Sequence, residues 1–281
     1  MKSNDKQKEY WTNSAGKLWV KEKIEKDNML EPLGNYALSK FSIGKGLNVL
    51  DIGCGTGKVS TQLSIMVGSK GHVSGFDLSK TMIDEAVRSS DTLDIKNITF
   101  KVKDIQNDKL DSEIFEAAFS RFGVMFFSDP TLAFKNIFNS LKRNGLLTFI
   151  CWQNQSDNPW YNLGLEVVKK YIELPVVKDR NPGPFAFSDK TYIKEILISS
   201  GFKNIDFFGF EKNVELYKGF TLDASIKHYI KTTPIFKEKV ELLSVKNKKN
   251  LFQDIKNIWS SYYSSNYLLF PSKTWIVSCT K

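Results

Sequence analysis

The sequence predicts an α/β fold, a mostly parallel sheet with helices on both faces, and three observations carry that expectation. Between residues 45 and 152, short apolar runs alternate with stretches of helical periodicity. The first run, Val49-Leu50-Asp51-Ile52, breaks into a turn with glycine at every second position, Gly53, Gly55 and Gly57. Acids, Asp77 and Asp104, stand at the ends of the second and third runs. Strands separated by helices pair in parallel through right-handed crossovers. A glycine turn between a buried strand and a helix lets a nucleotide-like ligand approach the backbone closely.

Residues 1–44 precede this pattern. Tyr10, Trp11, Leu18, Trp19 and Val20 make them too apolar for a disordered tail, and 30–41 reads as a helix. Strands are expected at 48–52, 72–77, 98–102, 117–122 and 146–152, and helices at 58–66, 80–88 and 132–142. The last of these helices opens at Asp129-Pro130, an N-cap acid followed by a proline in the first turn. Asn144-Gly145 supports a tight turn before the fifth strand. A helix at about 190–200 stops at Gly201, a good C-cap residue, and a sixth strand runs 205–216. The last strand is expected at 274–279.

Two connections are long, 153–187 and 218–271. They hold many aromatic residues, among them Trp160, Phe187, Tyr229, Trp259 and Phe270, which must be buried somewhere. With the N-terminal segment they are read as a cap over the carboxyl ends of the strands, where ligands bind in such sheets. Each ring taken singly suits the cap's own core equally well.

The glycine spacing narrows the ligand. A dinucleotide fingerprint places its third small residue where this chain has Lys58, whereas the third glycine here is Gly57. Asp51 stands two residues before Gly53. This D-x-G-x-G-x-G pattern resembles the first motif of class I S-adenosylmethionine-dependent methyltransferases. Further matches follow at strand ends: Gly75-Phe76-Asp77-Leu78-Ser79, Lys103-Asp104-Ile105, and the stretch from Phe119 to Pro130. That stretch is similar to a bacterial small-molecule subgroup related to the quinone and sterol C-methylases. The resemblance covers 45–152 well and the remainder more loosely.

The resemblance implies a Rossmann-like seven-stranded sheet whose last strand inserts antiparallel between the fifth and sixth. It implies residues 1–44 as a helical segment over the cofactor site, and 45–281 as the methyltransferase domain with both cap insertions. S-adenosylmethionine would be the cofactor and S-adenosylhomocysteine its product. Its carboxylate would meet amides of the Gly53, Gly55, Gly57 turn, its ammonium Asp51, and its ribose hydroxyls Asp77. Leu78 and Met82 would sandwich the adenine, and Asp104 and Ile105 would fix its edge. Ser120 would lie beside the sulfonium, and Trp19, with Trp11 eight residues before it, would close over the cofactor.

On the acceptor side, Arg121, Trp152 and Trp160 are candidate contacts, with a structural ion pair the alternative for Arg121. His228 is a weak candidate for a base, whereas His72, at the start of the second strand, reads as structural. Methyl transfer is an in-line displacement whose leaving group departs neutral, so proximity and electrostatics suffice and no universal catalytic residue is expected. No metal pattern is visible.

Composition limits the alternatives. The net charge of +9 suits a lysine-rich proteome as well as an anionic partner. The lysines of 237–249 alternate with apolar residues and acids and include no arginine, so nucleic acid is not expected as a partner. Base N6- and glutamine-methylating families carry an Asn/Asp-Pro-Pro-aromatic sequence at the fourth strand's end, where this chain has Ser120-Arg121-Phe122-Gly123. An RNA or protein methyltransferase, and a cofactor-binding regulatory protein without transfer activity, remain as alternatives. No membrane span or secretory signal is evident, and three widely spaced cysteines suit a cytoplasmic protein. The oligomeric state is not legible.

Overall fold

The computed structural model describes residues 4–175 and 180–281. Three helices come first: α1 (Asp5–Thr12), α2 (Ser14–Lys21) and α3 (Lys23–Lys40). The alternating region follows as β1 (Asn48–Ile52), α4 (Lys58–Val67), β2 (His72–Asp77), α5 (Lys80–Thr92), β3 (Ile98–Val102), β4 (Phe115–Arg121), α6 (Pro130–Ser140) and β5 (Leu141–Trp152). The first three strands start and stop where the sequence places them, because each is bounded by residues unfit for a strand interior.

The expected helix at 132–142 is displaced toward the N-terminus. Asp129 caps it by accepting the Leu132 amide at 3.0 Å, and Pro130 occupies its first turn. Leu141 already pairs with Phe115, so the strand begins where the helix was expected to continue. Asn144 adopts φ 62° within it, a conformation that asparagine tolerates.

The remaining elements are α7 (Pro159–Val168), α8 (Lys190–Ser199), β6 (Lys203–Leu216), α9 (Leu222–Thr232), α10 (Pro234–Glu241), α11 (Val245–Trp259), β7 (Tyr263–Ser264) and β8 (Tyr267–Thr280). The sheet order is β3-β2-β1-β4-β5-β8-β6. Parallel pairing extends from β3 to β5, and β8 lies antiparallel between β5 and β6. This is the Rossmann-like arrangement with an inserted last strand. A short eighth strand, β7, joins β8 through a two-residue turn at Ser265 and Asn266, whose φ values are 49° and 66°. Two positive φ angles in a two-residue loop match the twist of a tight hairpin.

The interior is built from residues that a two-sided parallel sheet requires. Leu50, Ala118, Phe119, Leu147 and Phe149 are completely buried in the central strands. The chain leaves β1 toward β2 and β3, then returns on the other side to β4. The crevice beyond the carboxyl ends of β1 and β4 therefore lies at the point where strand order reverses, which is where such sheets bind ligands.

Two flanking clusters complete the molecule. Tyr36 of α3 stacks on Phe210 of β6, with ring centres 3.8 Å apart. In the second insertion, Trp259 is buried against Tyr217, Tyr229 and Phe270. Phe187 joins the main core beside Phe134 and Phe149. These rings of the insertions are packing residues.

Candidate active site

An open cleft with a cavity volume of about 120 Å³ sits beyond the ends of β1, β2 and β4. Its floor is the turn after β1. Gly53 has φ 65°, and a side chain there would come within 3.0 Å of Gly123 Cα, so two backbones meet directly beneath the cleft. Gly57 caps α4 in the left-handed conformation, φ 86°. It does not line the cleft: a Cβ at Gly57 would meet Phe100 and Ala86 at 3.0 and 3.1 Å. Its smallness serves helix-on-sheet packing. Gly53 and Gly55 do line the cleft.

The turn's amides also depart from expectation. Gly53 and Cys54 both donate to the Phe76 carbonyl, at 2.9 and 3.1 Å. Gly55 donates to Asp77 Oδ2 at 2.9 Å, and Gly57 to the Cys54 carbonyl at 3.0 Å. These four N–H groups hold the loop's shape instead of facing a ligand carboxylate.

Three acids converge on the cleft. Asp51, almost fully buried on β1, accepts a 2.6 Å hydrogen bond from Ser60 Oγ of α4. Burial raises its carboxyl to about 7, helped by the neighbouring Asp77 charge and opposed by the Ser60 bond and Arg121. Asp77 ends β2. Its Oδ1 accepts the Ser79 amide at 2.8 Å and its Oδ2 the Gly55 amide, which fixes the carboxylate in place. Burial pushes its pKa up, and these amides resist the shift. A carboxylate has about four lone-pair sites, so accepting capacity remains for a ligand beyond the Ser79, Gly55 and Leu78 amides. Asp104 follows β3 and accepts from Asn4 Nδ2 at 2.9 Å, from the Gln106 amide at 3.1 Å and from Asn107 Nδ2 at 2.8 Å. Leu78, Met82 and Ile105 supply the apolar surface between these acids.

The N-terminal segment forms the outer wall through Asn4, Gln7, Trp11, Trp19 and Leu30. Trp11 and Trp19 meet edge to face at 6.1 Å, and Trp11 packs on Phe126 at 4.8 Å. Ser79 Oγ and Thr81 Oγ1 donate to the Trp11 and Thr12 carbonyls at 2.7 and 2.8 Å. These bonds fasten the segment to the start of α5, beside Asp77. Asn4 and Gln7 were not anticipated. Their one signal is helical spacing, since positions 4, 7 and 11 share a face. Phe122, Phe126 and Phe127, on the loop after β4, also line the cleft unanticipated.

Other expected residues lie elsewhere. Ser120 is completely buried, donates to the Ile52 carbonyl at 2.8 Å and accepts the Gly123 amide at 3.3 Å. It ties β4 to β1 and is not among the residues lining the cleft. Arg121 reaches the cleft, but its guanidinium pairs with Asp27 of α3 at 3.0 Å, both side chains being buried. The structural ion pair is the arrangement found. Trp152 is 3% exposed and stacks behind Phe122 at 4.4 Å. Trp160 packs on Trp152 at 4.7 Å and donates from Nε1 to Asn158 at 3.1 Å. Neither tryptophan lines the cleft. His228 faces Glu22 and Glu25 and also lies off it. His72 bonds Thr99 Oγ1 at 2.9 Å, far along the sheet from the strand ends.

S-adenosylmethionine can be tested against this lining. The buried Gln7 Oε1 in the cleft wall has no hydrogen-bond partner, and Asp77 keeps open accepting directions. An apolar slot lies between the acids. A ligand with an ammonium, a diol, a flat heteroaromatic ring and an amino group supplies the donors that these acceptors need.

Residues 43–180 match the family model described as a methyltransferase domain. The chain is similar to demethylmenaquinone methyltransferase of Staphylococcus epidermidis, 26% identical over 206 residues, covering 68% of this chain and 83% of the relative. It is also similar to an aklanonic acid methyltransferase of a Streptomyces species, 29% identical over 118 residues, covering 42% of this chain and 54% of the relative. Among solved structures, the YcgJ protein of Bacillus subtilis superposes with a TM-score of 0.57 at 15% identity, covering 88% of this chain and 98% of that one. Phosphoethanolamine N-methyltransferase 2 of Haemonchus contortus, solved with S-adenosyl-L-methionine, superposes with a TM-score of 0.53 at 18% identity, covering 89% and 52%. With its motifs, its strand order and these relatives in agreement, residues 43–180 form a methyltransferase domain of the S-adenosylmethionine-dependent kind.

Proposed function

We propose that the protein methylates a small, largely apolar acceptor, using alignment and a preorganised field. The observation that carries this reading is one cleft in which Asp51, Asp77 and Asp104 converge under a wall of tryptophan and phenylalanine. When bound, the cofactor supplies an electrophilic methyl group on a sulfonium. Asp51 holds the ammonium end as a carboxylate, and Asp77 orients the ribose through the lone pairs its backbone amides leave free. Leu78, Met82 and Ile105 grip the adenine. Trp11, Trp19 and Phe126 exclude water, which strengthens every electrostatic contact inside.

The acceptor's place is the apolar end of the cleft, at Leu30, Phe122, Phe126 and Phe127. The similarity to enzymes named for demethylmenaquinone and aklanonic acid supports an unsaturated carbon-rich acceptor. No histidine stands among the described residues lining the cleft, which suits an acceptor that is already nucleophilic. The first insertion holds this arrangement from behind, Trp160 packing on Trp152 of β5, which stacks on Phe122. No helix among the described residues is long and apolar enough to cross a membrane. Three buried free cysteines support a cytoplasmic setting.

Calorimetric titration with S-adenosylmethionine, S-adenosylhomocysteine and NAD, followed by transfer of a labelled methyl group to a panel of quinols and phenols, tests the reading. Binding of the first two without NAD, and label in a panel member, is the expected result. Label in tRNA or protein instead would overturn it.

A further inference from the structure

Away from the cleft, three metal-binding side chains meet where the N-terminal segment touches the second insertion. Glu22 is the N-cap residue of α3, and Glu25 lies in its first turn. His228 comes from α9. His228 Nε2 is 3.0 Å from Glu22 Oε1 and 3.6 Å from Glu25 Oε2. One ligand atom from each residue lies within 4.8 Å of the others. The Glu22 side chain is only 7% exposed.

Glu22 Oε1 and His228 Nε2 are both buried, yet neither makes a hydrogen bond. They are close enough for an ion pair but out of line for a shared proton. Lone pairs that converge on a common point, instead of on each other, produce this geometry. The second oxygen of Glu22 turns to Lys26 at 3.6 Å, leaving Oε1 directed at the cluster. Tyr217 and Phe220 stand edge-on to the imidazole at 5.3 and 5.2 Å and shield it.

We propose that Glu22, Glu25 and His228 bind a divalent transition ion of the zinc type, clamping the N-terminal segment to the insertion. Two carboxylates and a neutral imidazole neutralise a dication. Zinc bonds to such donors are about 2.0–2.2 Å, which sets neighbouring donors roughly 3.0–3.6 Å apart, the range of the two histidine–carboxylate distances here. A nitrogen donor in the set favours this class over calcium or magnesium, which take oxygen. Glu22 also joins α2, which carries Trp19, to α3, which carries Leu30, and both residues line the cleft. An ion bound here stiffens the hinge of the cleft's outer wall. This inference does not depend on which acceptor is methylated.

The test uses the full chain freed of metal by chelator. It is titrated with zinc chloride by calorimetry, and with cobalt(II) chloride followed by visible absorption. One ion per chain, cobalt bands typical of nitrogen and oxygen donors, and slower tryptic cleavage after Lys21 when zinc is present are expected. His228→Gln and Glu22→Gln should each weaken binding at least tenfold with an unchanged circular dichroism spectrum. Should either fail to fold, the more exposed Glu25→Gln serves, with the same expected loss. Absence of stoichiometric binding by the native protein would overturn the proposal and leave a histidine–carboxylate ion pair. Binding unchanged in the variants would place the ion elsewhere and overturn it too. Methyl transfer by the metal-free protein would leave the functional reading untouched in either case.

Discussion

In the proposed role, Asp51 must carry charge in a place where burial resists charge. Its carboxyl stands at about 7 in the ligand-free protein, against 3.8 in the open chain. The folded state therefore holds this proton more tightly than the unfolded state. That contribution to stability is complete below about pH 4 and is lost as the pH rises through about 7. Asp51→Asn should accordingly raise the ligand-free stability at pH 8 by a few kcal/mol relative to pH 4, measured by urea unfolding at both pH values. The same substitution should weaken S-adenosylmethionine binding. In the native protein, affinity should fall as the pH drops below about 7, since the ammonium needs the carboxylate. A flat pH profile would remove Asp51 from that role. Asp77→Ala should cost roughly 1–3 kcal/mol of cofactor binding, and calorimetry should read it directly.

Arg121 and Asp27 pose the opposite case at the same scale. They form a buried pair at 3.0 Å between β4 and α3. Removing one partner strands the other, so Arg121→Ala should destabilise the fold by about 3–5 kcal/mol, whereas a purely acceptor-binding arginine would leave the unfolding midpoint alone.

At the scale of elements, close approach decides what the glycines do. Gly57→Ala forces a left-handed φ on a residue with a Cβ and presses that Cβ onto Phe100 and Ala86. A loss of about 1–3 kcal/mol in urea unfolding is expected, larger than any direct effect on cofactor contacts. Gly16 of α2 is as constrained, because a Cβ there would collide with the Trp11 carbonyl and come within 2.8 Å of Ser79 Oγ. Gly16→Ala should lift α1 and α2 from α5, reduce cofactor affinity severalfold, and leave the global unfolding midpoint nearly unchanged. A cofactor affinity equal to the native value would show that the outer wall contributes nothing to binding.

Across the whole molecule, the long β6–β8 ladder ties the second insertion into the sheet. It pairs Lys203 with Thr280 at one end and, after a register shift before Asp206, Leu216 with Leu268 at the other. The insertion's core around Trp259 stacks on the ladder's far end through Tyr217 and Phe270. Trp259→Ala should cost about 3–5 kcal/mol and lower one cooperative transition. Two separate transitions in calorimetry would show that the insertion unfolds independently of the sheet.

What the sequence alone determined is the part whose information is local. The strand β1, its glycine turn, the acids Asp51, Asp77 and Asp104, and the capped start of α6 all rest on hydrophobic period, backbone conformational limits and capping chemistry within a few residues. The placement of β8 between β5 and β6 was legible only through resemblance, since no local pattern specifies which strand a distant one will join. Tertiary structure decided which residues at those strand ends reach the cleft. Ser120 and Arg121 are adjacent, yet alternation across the strand buries one against Ile52 and sends the other to Asp27 and the cleft. Gly57 and Gly55 share a motif, yet one packs beneath Phe100 while the other lines the cleft. Asn4, Gln7 and the Glu22–Glu25–His228 cluster depend on how a distant segment folds back over the sheet, a matter of packing between surfaces far apart in the chain.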